Sequence, residues 1–467
     1  MVFSHLLFIY LFLPLLLLAY YIIKNDAYRR VVLVAFSLLF YAWGEPICVF
    51  LMIGLVLADY LFGLLIDNTL SRRLRKFWLV VAVAANLGIL VVFKYLGFFT
   101  ETANSIFSAS LTVPQIVMPI GISFFTFQSM SYVIDVYRRD TDVQKSFFSL
   151  LLYVSFFPQL IAGPIVRYKD IADQLPSRKV DIAKFNDGLF RFSVGLAKKV
   201  IIADCCDTVV TALYGMSDVT VLGRWVGALF FTLQLYFDFS GYSDMAIGLG
   251  KMFGFGFREN FNYPLISKSA TEFWRRWHMS LGTFFRDYVY IPLGGNRHDQ
   301  YRNIMVVWFL TGMWHGASWN FILWGVYYGV LLILEKYVFG GVMEKLPNVL
   351  RHVLTLILIL VGWVFFRADD LTSAVIYLSA MAGFNGGDAH EAVYLIMQYL
   401  PELIICLIGI FPVKNLLDRF LSAKAEKSGV AAFVKEFVPK LFALAVFALA
   451  YMKLVSGSFN PFIYFQF

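Results

Sequence analysis

Charged side chains are scarce in this sequence of 467 residues. Only 15% of the residues are Asp, Glu, Lys or Arg, against about 25% in a typical soluble domain, whereas 60% are apolar and 18% aromatic. The mean hydropathy is +0.71. One soluble core of this size cannot bury so much apolar surface, and a disordered chain or a coiled coil would carry more charge. The composition therefore predicts an all-α, polytopic integral membrane protein.

Cysteine is also rare, and familiar catalytic motifs are missing. The four cysteines lack CxxC spacing and have no histidine at a metal-ligand interval, so neither a disulfide scaffold nor a metal site is indicated. The chain has no GxSxG, Walker or HExxH motif, which disfavours a triad hydrolase and a P-loop ATPase. No basic stretch is interleaved with stacking aromatic residues. We therefore interpret the net charge of +8 as basic cytoplasmic loops, without a nucleic-acid partner.

Basic clusters set the expected topology, because Lys and Arg collect in cytoplasmic loops. Residues 1–23 are apolar and precede the first cluster, at 24–30, which predicts a retained first helix that begins outside. The segment 146–166 has basic residues on both sides and is interrupted by Pro158 and Gly163-Pro164, which favours a re-entrant or in-plane segment. The stretch 304–334 fits either one long helix or two short ones. No repeat or linker is visible, so we predict a single domain over 1–467.

Polar residues within apolar surroundings mark the region 233–320. Asp238 and Asp244 lie in a helix-length apolar stretch and would be costly in hydrocarbon without donors nearby. Their spacing of six places them on different helix faces, so they are not an evident acid–base pair. Residues 268–302 combine six basic and three acidic side chains with aromatic residues. That segment could anchor the cytoplasmic side or attract a phosphorylated donor through Arg275 and Arg276.

The segment 311–320 carries a histidine in the middle of an apolar stretch. If the segment is helical throughout, Thr311, His315 and Trp319 share one face. Burial disfavours a charged imidazole, so we expect His315 to be neutral and able to take a proton from a hydroxyl. Ionisable residues inside membrane spans are usually functional, which favours a catalytic role over a structural one.

Seven short segments between residues 1 and 316, including the aspartate-containing and histidine-containing ones described above, occur in an order that resembles the membrane-bound O-acyltransferase (MBOAT) family. The sequence is most similar to the bacterial branch that O-acetylates alginate and other exported polysaccharides. The resemblance extends over nearly the whole chain. It is carried by residues 1–4, 40–46, 119–124, 159–164, 238–244, 275–282 and 314–316.

The resemblance implies a ring of about 11 tilted transmembrane helices, with re-entrant or in-plane helices, around a central tunnel. It implies a catalytic core at about 119–335. His315 matches the family's catalytic histidine, and His278 matches a second signature position that is often Asn in other branches. Around them we expect substrate-binding residues, namely Trp314, Thr311, Asn320, Asp238, Arg275 and Arg276.

The implied reaction is acyl transfer across the bacterial inner membrane. A cytosolic thioester, expected to be acetyl-CoA, supplies the acyl group, and no bound cofactor or metal is expected. Expected partners are membrane lipid, an extracytoplasmic SGNH-type acetyltransferase and the machinery that synthesises and exports the polysaccharide. Two alternatives stay open. One is D-alanyl transfer to teichoic acid on the same fold, and the other is a non-enzymatic polysaccharide transporter or channel.

The last ten residues, 458–467, are rich in aromatic side chains and carry no charged side chain. They could belong to an aromatic belt at the membrane interface. They also resemble the short aromatic ends of companion peptides in D-alanylation systems, which implies a position at the outer mouth of the tunnel, close to His315.

Overall fold

Helices form nearly all of the regular structure in the computed structural model, which describes residues 1–216, 219–384, 390–413, 416, 419–422, 429–457 and 461–463. The chain is 77% helical, and the described residues contain no β-strand. The prediction of an all-α fold is confirmed. Of the segment 458–467, only residues 461–463 belong to the described part.

The chain divides into two compact units. The first comprises residues 1–192 and 245–258. Its helices are α1 (Leu13–Ile22), α2 (Asp26–Ala42), α3 (Cys48–Asn68), α4 (Arg72–Leu90), α5 (Leu96–Phe107), α6 (Ile122–Arg138), α7 (Phe147–Ser155), α8 (Phe157–Leu160), α9 (Tyr168–Ile171) and the first part of α10 (Ile182–Ala197). The prediction of a single domain, with a catalytic core at about 119–335, stays a prediction.

The second unit comprises residues 193–244 and 259–467. It contains the end of α10, then α11 (Asp204–Gly215) and most of α12 (Val221–Met252), whose last turns belong to the first unit. The remaining helices are α13 (Ala270–Arg276), α14 (Met279–Phe285), α15 (Gln300–His315), α16 (Trp319–Leu334), α17 (Gly340–Met343), α18 (Asn348–Arg367), α19 (Leu371–Met381), α20 (His390–Gln398), α21 (Leu400–Gly409) and α22 (Gly429–Val455).

Fewer helices are long enough to cross a membrane than the resemblance implies. Among the described residues, five helices qualify by length and composition, and a sixth would be the pair Ala392–Gln398 and Leu400–Gly409, which is bent by 72°. The five are Cys48–Asn68, Arg72–Phe107, Trp319–Met343, Asn348–Arg367 and Phe433–Val455. Other apolar stretches are too short to qualify, such as Leu371–Met381. The ring of about 11 spans and its tunnel therefore stay predictions.

In the first unit, helices α3, α4 and α6 pack around a buried polar cluster. Asn86 of α4 donates from its amide to both carboxylate oxygens of Asp59 at 2.9 Å, and the Ser129 hydroxyl of α6 donates to the same carboxylate. The segment 146–166 contains the short helices α7 and α8, which are separated by the non-helical residue Phe156, and its residues 161–166 are not helical. The predicted break in this segment is thus present.

The stretch 304–334 forms two helices, α15 and α16, which pack closely through glycine. A Cβ atom on Gly312 would lie 2.5 Å from the Phe321 carbonyl oxygen. A Cβ atom on Gly325 would collide with the Trp308 carbonyl oxygen and would lie 3.1 Å from the Gly312 Cα. The two backbones are therefore in direct contact, which only small residues allow.

Replacing Gly325 with Val should destabilise the second unit, because the added side chain meets backbone that cannot move aside. We expect a loss of about 3 kcal/mol, measured as a lower midpoint of thermal unfolding in detergent. Gly54→Val, on α3, is the matched control because nothing lies within 4 Å of a Cβ at Gly54. Equal midpoints for the two variants would contradict the close packing of α15 on α16.

Candidate active site

His315 is the last residue of α15, and the helix ends there because Gly316 adopts an extended conformation at φ −166°. The ring is 7% exposed. Its centroid lies 4.9 Å from the Trp324 ring and 5.2 Å from the Phe366 ring, both at steep angles. The helix end and these two aromatic rings therefore hold the imidazole in one orientation.

His278 lies between α13 and α14 in a left-handed conformation, at φ 44°. Few residues other than Gly adopt this conformation, although His, Asn and Asp do so more often than most, and such backbone strain is concentrated at functional sites. The side chain is 2% exposed. Its Nδ1 atom lies 3.1 Å from the Asn260 Oδ1 atom.

The partners of Asn260 determine which nitrogen of His278 carries the proton. The Asn260 Oδ1 atom accepts from the backbone N–H of Ser280 at 3.2 Å, and an N–H can only donate. The Asn260 Nδ2 atom donates to the Ser243 hydroxyl at 3.0 Å. Oδ1 is therefore an acceptor, and His278 donates to it from Nδ1. The proton is on Nδ1, and Nε2 carries a lone pair.

The Nε2 atom of His278 is buried and has no hydrogen-bond partner among the residues that the structure describes. His278 lies outside the helices that qualify as spans, and burial lowers its pKa to about 3. The ring is therefore neutral at physiological pH. A buried acceptor without a partner is costly in a folded protein, and this lone pair is available to accept a hydrogen bond from a bound group.

Trp314 joins the two histidines. Its ring centroid lies 5.7 Å from that of His278 and 4.7 Å from that of His315. The structure thus brings together three residues that the sequence indicated, although they come from the α13–α14 connection and from the end of α15. Their contacts place both imidazoles against a single indole.

The other predicted residues of α15 and α16 have structural partners. The Thr311 hydroxyl donates to the Val307 carbonyl at 2.7 Å, within α15. The Asn320 amide donates to the Ala368 carbonyl at 2.7 Å and ties α16 to the end of α18. The condition under which Trp319 would share a helix face with His315 is not met, because the segment is not helical throughout: α15 ends at His315, and Trp319 begins α16 and is 49% exposed.

The predicted charged residues do not bond to either histidine. Arg276 pairs with Glu272 at 2.9 Å, whereas the Arg275 side chain is exposed. Asp238 pairs with Lys199, whose Nζ atom lies 2.8 Å from its Oδ1 atom. The structure therefore shows no contact of Asp238, Arg275 or Arg276 with either imidazole.

Sequence reasoning missed Asn260, Ser243, Trp324 and Phe366, which position the two histidines. Asn260 lies in the connection that follows α12, and only its polarity among aromatic neighbours distinguishes it in the sequence. Trp324 and Phe366 resemble many other aromatic residues of this chain. Three-dimensional contacts alone identify their role.

The fold and this site define a polytopic, helical membrane protein with two buried histidines that contact the same tryptophan ring. Residues 141–366 match the model of the MBOAT, membrane-bound O-acyltransferase family. A probable alginate O-acetylase of Azotobacter vinelandii is 40% identical over 500 residues, which cover all of both chains. The chain belongs to the membrane-bound O-acyltransferase family and is an O-acyltransferase.

Two further relatives differ in how much of the chain they match. A peptidoglycan O-acetyltransferase of Helicobacter pylori is 38% identical and covers 81% of this chain and 79% of its own length. A teichoic acid D-alanyltransferase of Bacillus subtilis is 31% identical but covers only 46% of this chain and 58% of its own length. The likeness to O-acetyltransferases is therefore the more extensive one.

The ring of His278 should stay neutral, with its proton on Nδ1, between pH 5 and 8. The measurement is a ¹⁵N spectrum of histidine-labelled protein in detergent, with the signal assigned by its loss in His278→Gln. We expect a protonated Nδ1 and an unprotonated Nε2 whose shifts do not change with pH. A signal that titrates in this range would contradict the assignment.

Proposed function

We propose that this protein transfers an acetyl group from a cytosolic thioester to a hydroxyl group for the O-acetylation of an exported polysaccharide. The observation that carries the proposal is the pair of buried histidines against Trp314, one of which presents an unpartnered Nε2 atom. The names of the relatives support the acetyl group, since those that match most of the chain are O-acetylases or O-acetyltransferases.

The proposed reaction is a direct acyl transfer. The acceptor hydroxyl gives its proton to His315, its oxygen attacks the carbonyl carbon of the thioester, and the thiolate leaves and takes up the proton. A thioester is already activated, so the step needs no covalent enzyme intermediate. His278, through its Nε2 atom, orients the hydroxyl or shares its proton.

The substrate is positioned by residues around this pair. Trp314, which packs against both imidazoles, is the residue we propose to contact the acetyl group, and Thr311 lies one helical turn before His315. Asn320 keeps the start of α16 attached to the end of α18. The exposed charge of Arg275, with Arg276 beside it, attracts the phosphates of acetyl-CoA, our proposed donor.

We propose the bacterial inner membrane as the location, since the donor is cytosolic and the polymer is exported. An extracytoplasmic SGNH-type acetyltransferase, together with the polysaccharide synthesis and export machinery, would receive the acetyl group. D-Alanyl transfer is less well supported because the relatives with that activity match less than half of the chain.

Replacing His315 with Ala should lower acetylation of the exported polymer by about 100-fold or more, the usual contribution of a general base. The measurement is the acetyl content of polymer from cells with matched protein levels. His298→Ala is the control, because that side chain is exposed and should not affect transfer. Equal acetylation in wild type and His315→Ala would refute the catalytic assignment.

Replacing Asn260 with Asp should make transfer sensitive to acidic pH. A carboxylate beside the Nδ1 proton stabilises the imidazolium and raises the pKa of His278 from about 3. The Nε2 lone pair is then lost as the pH falls through the raised pKa, so the acidic limb of the pH–rate profile moves to higher pH.

This profile is measured with purified protein, acetyl-CoA and a small hydroxyl acceptor. Asn262→Asp serves as the control, since it adds the same charge two residues away on an exposed side chain. Superimposable acidic limbs for Asn260→Asp and wild type would show that His278 takes no part in the proton transfer.

A further inference from the structure

A buried ion cluster lies in the second unit, away from the contacts of the two histidines. Lys199 is 3% exposed and lies in the π-helical segment Lys198–Ala203 that joins α10 to α11. Its Nζ atom is 2.8 Å from the Asp204 Oδ1 atom and 2.8 Å from the Asp238 Oδ1 atom. Two buried carboxylates thus face a single buried ammonium group.

Close backbone packing brings this cluster together. A Cβ atom on Gly241 of α12 would lie 2.8 Å from the Gly195 carbonyl oxygen and 3.2 Å from the backbone nitrogen of Lys199. Lys198, beside Lys199, forms a second ion pair with Asp244 of α12 at 2.7 Å. Two adjacent lysines therefore pair with the two aspartates of α12 that are six residues apart.

Residues 461–463 complete the bonding of the cluster. Lys199 donates from Nζ to the Pro461 carbonyl at 3.2 Å, and Asp238 accepts from the backbone N–H of Ile463 at 2.8 Å. Between them, the Phe462 ring lies 4.8 Å from the Tyr242 ring and 4.9 Å from the Lys199 Nζ atom. The segment is held through its backbone on both sides of one buried aromatic side chain.

The same part of α12 also supports His278. The Phe239 ring lies 4.7 Å from the His278 ring, and the Ser243 hydroxyl accepts from Asn260, which in turn holds Nδ1 of His278. Asp238 and Tyr242 thus contact the segment 461–463. Phe239, which follows Asp238, contacts the His278 ring, and Ser243, which follows Tyr242, bonds to Asn260. Residues 238–243 connect the two places within less than two helical turns.

We propose that Lys199 and Asp238 are positioning residues, which bind the backbone of 461–463 and thereby fix residues 238–243 against His278. The inference rests on the proposed function for its effect on transfer. The segment supplies one N–H donor and one carbonyl acceptor to the cluster, and buried charges need such partners. Without the segment, buried polar groups of the cluster lose partners and α12 loses its support at Tyr242.

Three variants test the proposal on the full-length protein in detergent or nanodiscs. Lys199→Met removes the ammonium group and keeps the length of the side chain. Deletion of 461–467 leaves the ion cluster in place, so it keeps the test valid if Lys199→Met does not fold. Lys198→Met is the matched control. It removes the ion pair between Lys198 and Asp244 of α12, whose length is similar to that of the Lys199 pairs and which does not contact residues 461–463.

The first two readouts do not depend on acetyl transfer. Hydrogen exchange at the Ile463 amide should become at least about tenfold faster in Lys199→Met and stay as in wild type in Lys198→Met. The ¹⁵N signal of the His278 ring should shift in Lys199→Met and in the deletion variant, but not in Lys198→Met. An unchanged His278 signal in the deletion variant would overturn the proposal even if the protein proved to have another activity.

The third readout is acetyl transfer. Lys199→Met and the deletion should each lower transfer by about tenfold or more, and the double variant should be no worse than the deletion, because the two changes act through one contact. The proposal would be overturned if the loss of transfer in the variant with both changes equalled the product of the two single losses. Full transfer by the deletion variant would also overturn it. If wild type itself transfers no acetyl group, the proposed function fails, while exchange and ¹⁵N shifts still decide whether the segment is bound as described.

Discussion

The hydrogen bond from Nδ1 of His278 to Asn260 is the interaction on which the site depends. It fixes the tautomer of a ring that burial keeps neutral, and it leaves Nε2 as an acceptor in a place that is closed to solvent. Asn260 can do this because its own amide is fixed by Ser280 and Ser243. A histidine free to change tautomer, or to become charged, could not present a lone pair reliably.

The site also depends on the end of α15 at His315. The helix stops there because Gly316 turns the chain to an extended conformation, and α16 then returns against α15 through Gly312 and Gly325. This return brings Trp324 against His315. The glycines therefore act on the site indirectly, by letting two helices approach closely enough for aromatic side chains to enclose an imidazole.

Much of the fold could be predicted from the sequence, because apolar runs and basic loops follow simple rules. The all-α class and the break within 146–166 follow from composition and prolines, and the resemblance to a family singles out His315, His278 and Trp314, whose rings the structure brings into contact. The end of α15 could not be predicted, since 304–334 is apolar on both sides of Gly316 and periodicity does not reveal where a helix stops. Asn260 and Lys199 were missed because their roles depend on partners 17 and 39 residues away in the sequence, Ser243 and Asp238.

A crystal structure with a bound non-hydrolysable acetyl-CoA analogue would show whether both histidines act on one reacting group. We expect the acetyl carbonyl carbon beside Trp314, with His315 close enough to take a proton from an attacking hydroxyl and the Nε2 atom of His278 facing the same space. An analogue whose carbonyl lies away from both rings, or rings closed off by solid packing, would contradict this expectation.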